Sequence, residues 1–395
     1  MSRIDTTTPV LVVYRGGIGA LSVARTLGRL GVRVYLVYDG ETPLRHSRYW
    51  KKTYAWNFDA SDEESLAFLL RVGEEIGGRP LLLTLVDSIA VFIERHAARL
   101  KERFVFPLAD EPVVERLANK WDMFALAKQH AIPTPETAFP QTREDVLAFA
   151  RTAQFPVIMK GADPMLPRAA AKEILEDAQA LLSAYDKASQ DGPANCILQE
   201  YIPGTAESVW MCNAYFGDRS ECKAIFPGKK LRQVSSTGIA SLAVCAPNAK
   251  VAEQTRRFMQ AVGYRGCVGI GWRYDARDGQ YKVLDVNARV SGVFRLFRPT
   301  NGMDVVRICY LDLTGQPVPQ TRLAAGRKWM LEQDFESALA EVRAGRLSIW
   351  GWIRSLIGVR EAHWFAFDDP APFIAWLRPR VRAIRERRRA APAPA

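Results

Sequence analysis

Apolar and polar positions along the first third of the chain alternate in a pattern that predicts strands and helices in turn. An apolar run at residues 10–14 precedes apolar residues that recur at near-helical spacing from residue 21, and a second run follows at residues 32–37. Ser61, with Glu64 three positions later, predicts a helix start, and that helix leads to a third apolar run at residues 81–86. Such alternation is typical of an α/β domain with a doubly wound parallel sheet.

A glycine-rich turn, residues 16–19, lies between the first strand and the first helix. A turn of this kind, with Asp39 ending the next strand, outlines a dinucleotide site. Ser22 occupies the position where the third glycine or alanine of that motif should pack. The sequence therefore favours a structural turn, and a nicotinamide-dependent oxidoreductase is the weaker alternative.

From residue 120 the pattern changes to that of an α+β region. It predicts helices over residues 120–128, about 169–189 and 249–262, and strands over residues 155–160 and 196–199. Antiparallel strands are predicted up to residue 246, and one of them carries Glu207.

The segment Tyr-Lys-Val-Leu-Asp-Val-Asn-Ala-Arg, which ends at Arg289, has polar residues at alternate positions. In a strand, Asp285, Asn287 and Arg289 would share one face, whereas Leu284 and Val286 would point into a core. Carboxylate and amide oxygens suit Mg²⁺, and a guanidinium suits phosphate oxygens. A sheet strand with a solvated face is the alternative interpretation of this segment.

The composition is that of an ordinary globular protein, with 395 residues, 48% hydrophobic and 25% charged. At about 150 residues per domain, this length predicts two or three domains. The net charge is +11, and much of the excess is arginine in residues 378–389. For that segment a solvated helix end is favoured over contact with nucleic acid or an anionic membrane surface.

Three further features concern the cellular environment. The six cysteines are scattered, without a CxxC pair, the chain lacks an apolar run of about 18 residues, and its first residues lack a charged-then-apolar leader pattern. We therefore expect a reduced cytoplasmic protein with no membrane span and no nucleic-acid partner. The oligomeric state is open, and an oligomer is possible.

Four short motifs occur in order between residues 119 and 289. They are Asn-Lys-Trp at residues 119–121, Phe-Pro-Val-Ile-Met-Lys at 155–160, Leu-Gln-Glu-Tyr-Ile-Pro-Gly at 198–204, and Leu-Asp-Val-Asn-Ala-Arg at 284–289. Their order and spacing resemble the ATP-grasp superfamily, specifically its carboxylate-amine ligase-like branch. The resemblance covers roughly residues 9–317.

The resemblance implies an α/β fold with a particular domain order. A pre-ATP-grasp parallel doubly wound domain would occupy residues 1–115, and an ATP-grasp domain of two α+β subdomains would occupy residues 116–318. The small subdomain would span about residues 116–200 and the large one about 201–318, with ATP held between their sheets. A C-terminal helical extension with a basic tail would occupy residues 319–395.

The resemblance also implies how a nucleotide would be bound. Lys120 and Lys160 would bracket the α- and β-phosphates, and Glu207 would accept hydrogen bonds from the ribose hydroxyls. Ile158 and Leu284 would sandwich the adenine ring. The hinge that reads the adenine edge would consist of Gln199, Glu200, Tyr201 and Ile202.

The catalytic residues implied by the resemblance are Arg289, Asp285 and Asn287. Asp285 and Asn287 would bind Mg²⁺, with Mn²⁺ as a possible substitute, and Arg289 would hold the transferred γ-phosphoryl group. The implied reaction joins a small-molecule carboxylate to an amine through an acyl phosphate and releases ADP and phosphate. The alternative is a nucleotide-binding protein of the same fold without ligase turnover.

The chain departs from the family pattern in the segment that normally carries a first metal-binding carboxylate. Residues 266–273 contain no acid, and the nearby Asp275 and Asp278 are expected to cap the hairpin turn. In the loop after Lys160, two prolines replace glycines, and Arg168 and Lys172 are the cations that would compensate there.

Two further basic groups have competing interpretations. Lys229, Lys230 and Arg232 either face a cleft or form an exposed turn. Arg295 and Arg298 either hold a substrate carboxylate or phosphate or pack on the surface.

Overall fold

The N-terminal part of the protein is built on a parallel sheet with helices packed on it. The computed structural model describes residues 4–166, 170–234 and 238–390. The first elements are β1 (Val10–Tyr14), α1 (Ala20–Gly28), β2 (Val34–Tyr38), β3 (Trp50–Ala55), α2 (Asp62–Ile76) and β4 (Leu81–Thr84). The strand order is β3-β2-β1-β4, and all pairs are parallel. The predicted doubly wound α/β pattern is confirmed.

The sequence pattern predicted the start of helix α2 but not strand β3. The side chain of Ser61 accepts a hydrogen bond from the Glu64 backbone while the Glu64 carboxylate binds the Ser61 backbone, so the predicted capping box is present. Strand β3 was not predicted. It lies at the sheet edge and buries only Trp50 fully, so it lacks the apolar run of an interior strand.

Four helices lead from the parallel sheet to a small antiparallel sheet. The helices are α3 (Asp87–Arg95), α4 (Ala97–Leu100), α5 (Val114–Ala118) and α6 (Lys120–Gln129). The elements that follow are β5 (Thr137–Ala138), α7 (Arg143–Thr152), β6 (Val157–Lys160), β7 (Glu173–Leu175), α8 (Ala178–Ala188) and β8 (Ile197–Glu200). The sheet has the order β5-β8-β6-β7. The helix predicted over about residues 169–189 is therefore wrong in its first part, because β7 occupies residues 173–175.

A large sheet forms the rest of the molecule. Its first part contains β9 (Val209–Phe216), β10 (Cys222–Gln233), β11 (Ala240–Cys245), α9 (Ala249–Ala261), β12 (Gly266–Asp275), β13 (Gln280–Asn287) and α10 (Val305–Leu313). The C-terminal part adds β14 (Lys328–Met330), α11 (Asp334–Arg343), α12 (Ile349–Ser355), β15 (Val359–Ala362) and α13 (Ala371–Ala390). The seven strands have the order β13-β12-β9-β10-β11-β14-β15. The C-terminal region therefore supplies three helices and two strands that extend the sheet.

The hairpin of β12 and β13 contains an irregularity that controls which side chains reach the cleft. Gly271 pairs with Asp285, but the next residue, Trp272, pairs with Val283, so Leu284 is an extra residue on β13. A bulge of this kind breaks the two-residue alternation of side chains. Leu284 consequently lines the cleft together with Asp285, and the prediction that it points into the core is wrong.

Buried ion pairs fasten the C-terminal region to the N-terminal domain. The Arg25 guanidinium on α1 donates to the Asp369 carboxylate at 2.9 Å, and both side chains are almost fully buried. Arg295 donates to Glu361 at 2.8 Å and to Asp304 at 2.6 Å, and it is only 1% exposed. Arg295 is therefore a buried structural residue, and the predicted alternative of packing on the surface is wrong for it.

The tryptophans of the C-terminal region are divided between core and surface. Trp329, Trp364 and Trp376 are buried, whereas Trp350 is 79% exposed. None of the helices in the described part of the chain has the length and apolar character needed to cross a membrane.

Candidate active site

A cavity of about 590 Å³ is lined by the small sheet, the large sheet and the N-terminal part of the protein. Strands β6 and β8 of the small sheet contribute Lys160 and Gln199, and β13 of the large sheet contributes Asp285. The N-terminal domain contributes Gly17 and Ile18 from the glycine turn. A cavity of this size suits a small-molecule ligand.

Helix α6 brings Lys120 to the cavity. The helix starts there because the Asn119 side chain accepts hydrogen bonds from the backbone of Trp121 and Asp122. The Lys120 ammonium donates to Asp285 at 2.8 Å. Burial opposes its charge, but the attraction of Asp285 outweighs that cost and raises the pKa of Lys120.

Lys160 ends strand β6 and is buried at the bottom of the same cavity. Its ammonium donates to Gln199 Oε1 at 3.0 Å and to the Leu284 carbonyl at 3.3 Å. Burial, followed by the positive charge of Lys120, lowers the pKa of Lys160 to about 7. An anionic ligand would strongly stabilise the charged form of this lysine, because it would replace the hydration that the ammonium has lost.

Asp285, Asn287 and Arg289 form a connected network. The Asn287 amide donates to Asp285 at 3.3 Å and to the Gly269 carbonyl at 3.2 Å, while its oxygen accepts from Arg289 at 2.6 Å. Burial raises the pKa of Asp285, but Lys120 and the nearby Lys160 and Arg289 outweigh it and hold that pKa below its usual value. The carboxylate is therefore ionised and available to a cation.

Arg289 lies just beyond the end of β13, in a turn in which its backbone N–H donates to the Asn287 carbonyl at 2.8 Å. Its guanidinium forms an ion pair with Asp87 at 3.1 Å. Asp87 is the first residue of α3, directly after the strand β4 and its following turn. The N-terminal domain thus holds the arginine in place from the opposite side of the cleft.

The predicted hinge residues Gln199, Glu200, Tyr201 and Ile202 all line the cavity, as do Ile158 and Leu284. The Glu200 carboxylate is engaged by Arg277 at 2.5 Å, and the Glu200 backbone N–H donates to the Glu136 carbonyl at 2.8 Å. The Glu200 side chain is therefore committed to the protein.

Glu207 lies in a short 3-10 helix (Ala206–Ser208) that precedes β9, so the prediction that a strand carries it is wrong. Its carboxylate accepts from Lys229 at 2.6 Å, and it is not among the residues that line the cavity. A ribose-binding role of Glu207 stays a prediction.

Comparisons with known proteins agree with this architecture. No family model matches the chain. The D-aspartate ligase of Enterococcus faecium (strain Aus0004) is 24% identical over 335 residues, which cover 79% of this chain and 78% of the relative. The structure of an L-amino acid ligase from Bacillus licheniformis superimposes with a TM-score of 0.63 at 14% identity, covering 82% of this chain and 79% of that one.

A third relative is the biotin carboxylase domain of a 2-oxoglutarate carboxylase from Hydrogenobacter thermophilus, solved with MgADP, ADP and bicarbonate. It superimposes with a TM-score of 0.62 at 15% identity and covers 82% of this chain and 74% of that one. These superpositions show that the chain shares its overall fold with both structures. The chain has an ATP-grasp fold. The expected fold class is thereby confirmed.

The ATP-grasp cavity contains residues that the motif pattern did not identify. Asn213 and Arg273 line the cavity, and Asp87 lies behind it as the ion-pair partner of Arg289. Asp87 follows the carboxyl end of a parallel strand, a position where α/β folds commonly bind ligands, and this signal was present in the sequence. Asn213 is an amide within a strand whose neighbours are apolar, and its Oδ1 is buried without a partner in the described part of the chain.

Strand β10 carries the basic cluster of Lys229, Lys230 and Arg232, and each of these residues has a different environment. Lys230 lines the cavity, and burial, followed by Lys172 and Arg273, lowers its pKa to about 8. Lys229 pairs with Glu207, and Arg232 forms a buried ion pair. The cleft interpretation therefore holds only for Lys230.

The loop that follows Lys160 is only partly described. Lys172 lines the cavity. Arg168, the other predicted compensating cation, lies outside the described residues.

The acids of the β12–β13 turn are structural, as predicted. Asp275 is 1% exposed and accepts from Arg277 and from Lys282, the latter at 2.7 Å. Within the described ranges no cluster of three acidic, histidine or cysteine side chains is suited to hold a metal ion. Any metal in the cavity would therefore depend on Asp285, Asn287 and the bound ligand.

The glycine turn of the N-terminal domain packs against the segment that follows Arg289. Gly19 has φ of +108°, and a Cβ there would lie 2.7 Å from the Gly292 Cα. Gly17 and Ile18 lie on the cavity wall. This close backbone approach explains why Gly19 and Gly292 lack side chains, and it supports the structural interpretation of the turn.

Proposed function

We propose that the protein is an ATP-dependent carboxylate-amine ligase. The observation that carries the proposal is the convergence of Lys120, Lys160 and Arg289 with Asp285 and Asn287 on the cavity of an ATP-grasp fold. These residues combine fixed cations for phosphates with oxygen ligands for a metal. The relatives named above, a D-aspartate ligase and an L-amino acid ligase, support the same reaction class.

The nucleotide fits the cavity by charge and by shape. Lys160 is a buried cation with a depressed pKa, and Lys120 lies beside it, so a polyphosphate would relieve their mutual repulsion. Ile158 and Leu284 are the apolar walls for adenine, and Ile202 is a buried hinge residue. We therefore assign ATP binding to this cavity.

The oxygen atoms of Asp285 and Asn287 suit Mg²⁺ as a partial set of ligands. Asp285 would offer one carboxylate. Asn287 would offer its amide oxygen, which accepts from Arg289 in the free protein, once the amide turns this oxygen toward Asp285. Mg²⁺ commonly uses one or two carboxylates and completes its coordination with phosphate oxygens and water. Mn²⁺ prefers similar oxygen ligands and is expected to substitute. A bound ion would neutralise part of the charge of the phosphates.

The chemistry follows from positioning and charge. A substrate carboxylate oxygen attacks the γ-phosphorus, the new O–P bond forms, and the bond to the β-phosphate oxygen breaks to release ADP. Arg289 and Lys120 stabilise the charge that develops on the phosphoryl oxygens, and Asp87 keeps Arg289 oriented. The amine nitrogen then attacks the acyl carbon, the C–N bond forms, phosphate leaves, and the amine loses a proton.

We further infer that an amino acid is one of the two substrates. The relatives are named for aspartate and for L-amino acids. Lys230 and Arg273 supply positive charge in the cavity beyond that of the two phosphate lysines, and an amino-acid carboxylate would use it.

The test is ADP release by the purified protein with ATP and Mg²⁺, measured with single amino acids, with amines and with pairs of both. We expect release above background only when a carboxylate and an amine are both present. Asp285→Asn should lower that rate by about a hundredfold or more, because it removes the metal carboxylate at nearly constant volume. Asp278→Asn is the matched control, since it removes the same charge from the hairpin turn outside the cavity.

Two outcomes would contradict the proposal. Equal turnover in wild type and Asp285→Asn would remove Asp285 from the mechanism. Absence of turnover with every pair, together with retained ATP binding, would favour the nucleotide-binding alternative, which the acid-free segment opposite Asp285 motivates.

A further inference from the structure

A second concave site lies outside the ATP-grasp cavity, where the segment after the catalytic turn meets the C-terminal strands. It has a volume of about 480 Å³, and its charged lining residues are Arg298, Arg327 and Arg360. The remaining lining residues are small or apolar: Pro299, Thr300, Ala324, Ala325, Gly326 and Gly358. This lining contains three cations and no carboxylate.

Glu361, the carboxylate that pairs with Arg327, does not neutralise the three arginines. Glu361 accepts from Arg327 at 2.7 Å, but Arg295 also occupies it through two hydrogen bonds of 2.8 Å each. In the described part of the chain, neither Arg298 nor Arg360 has a hydrogen bond or ion pair through its guanidinium. The site therefore carries an excess of positive charge.

The arginines also repel one another in a partly buried setting. Burial lowers the pKa of Arg327, and so do the positive charges of Arg295 and Arg298. The negative charge of Glu361 raises this pKa but does not outweigh them. The Arg327 Nε is buried without a hydrogen-bond partner in the described ranges. A concave site with low-dielectric walls focuses such a field and favours an anion that can accept from several guanidinium groups.

The site is separate from the ATP-grasp cavity. Ala240, at the start of β11, lines the active-site cavity, whereas Cys245, at its end, donates its backbone N–H to the Arg327 carbonyl at 2.8 Å. Ala240 and Cys245 are five steps apart along the strand, which is about 17 Å at about 3.4 Å per residue. An anion at Arg298 would therefore not overlap a nucleotide at the phosphate lysines.

We propose that this arginine pocket binds a small molecule with two or more phosphate or carboxylate groups. The planar fork of arginine matches both groups, and the volume exceeds what a single inorganic phosphate needs. The site goes beyond the ligase reaction proposed above and does not depend on it. Arg298 and Arg360 are both exposed, so the ligand has direct access from solvent.

The test is calorimetric titration of the full-length protein with pyrophosphate and, separately, with citrate in metal-free buffer. The two probes distinguish phosphate from carboxylate recognition. Three proteins are compared with wild type: Arg298→Gln/Arg360→Gln, Lys160→Ala, and the control Arg151→Gln/Arg219→Gln. The control removes the same charge from two exposed positions outside the pocket.

We expect binding to persist in Lys160→Ala and in the control. In Arg298→Gln/Arg360→Gln the affinity should fall at least about tenfold, because each lost charge-assisted contact lowers affinity by about ten- to a hundredfold. Equal affinity in wild type and Arg298→Gln/Arg360→Gln would overturn the proposal. So would an equal loss in the control, because it would show a general charge effect. Failure of both probes to bind Lys160→Ala would also overturn it, since all binding would then belong to the active site.

Discussion

The clearest prediction concerns a second carboxylate for the proposed metal site, for which Gly271 is the position that we infer. Gly271 pairs directly with Asp285 across the β12–β13 hairpin, so side chains at the two positions share one face. A Cβ built on Gly271 would lie 4.0 Å from the Asp285 Cβ and 3.9 Å from its carbonyl oxygen. These are ordinary contact distances, so an aspartate fits there.

The neighbouring candidate, Gly269, does not offer the same space. It pairs with Asn287, but a Cβ there would lie 2.8 Å from the Ser291 Cβ, closer than real Cβ contacts allow. Substituting it would push on the turn that follows Arg289. Both glycines lie in the acid-free segment 266–273, but only Gly271 has room for an aspartate side chain.

The change in Mg²⁺ affinity expected for Gly271→Asp can be estimated from the charge of the added carboxylate. At an effective dielectric constant of about 20, two unit charges about 4 Å apart interact by about 4 kcal/mol, and a divalent ion doubles that value. Dehydration of the carboxylate and its repulsion from Asp285 offset most of this energy. We expect a net gain of about 2 kcal/mol, or an Mg²⁺ affinity about thirtyfold higher, in Gly271→Asp.

The assay is the Mg²⁺ dependence of ATP binding and of ADP release, measured for wild type, Gly271→Asp and Gly271→Asn. The asparagine variant has the same shape without the charge, so it separates the added ligand from the added volume. An Mg²⁺ requirement that falls equally in both variants, or in neither, would refute the reasoning that a carboxylate is missing opposite Asp285.

Three further predictions use other parts of the molecule. Because Lys160 loses its proton near pH 7 in the free protein and regains it when a polyanion binds, ATP affinity should fall by about tenfold per pH unit above pH 7, with proton uptake on binding seen in calorimetry at pH 8. Asp369→Asn leaves the buried Arg25 charge without its partner, so thermal unfolding should show a loss of about 3 to 5 kcal/mol. Gly292→Ala places a methyl group 2.6 Å from the Ile18 side chain, so it should lower both the melting temperature and ligand affinity.

Each of the last two predictions has a matched control. Asp368→Asn removes a carboxylate from a partly exposed pair with Arg29 and should cost about 1 kcal/mol or less. Gly271→Ala adds a methyl group where space exists and should leave the melting temperature nearly unchanged. Equal losses in Asp368→Asn and Asp369→Asn, or in the two glycine variants, would contradict the role given to burial and close packing. A flat ATP affinity between pH 7 and 9 would contradict the depressed pKa of Lys160.

Much of the fold was determined by local sequence. The parallel N-terminal sheet, the capping box at Ser61 and the helix that begins at Lys120 follow from hydrophobic period and from side chains that bind their own backbone. The positions of Lys160 and Asp285 in the cavity could be predicted as well, because their motifs resemble those of the ATP-grasp superfamily in order and spacing.

Other features depended on contacts between distant segments. The bulge that turns Leu284 toward the cleft arises from the pairing of β12 with β13, and the pairing of Arg289 with Asp87 joins residues 202 positions apart. The difference between Lys230, which lines the cavity, and Lys229, which pairs with Glu207, depends on which face of β10 meets the cleft. Sequence period specifies which residues alternate, but only packed strands decide register, burial and the distances that select Gly271 over Gly269.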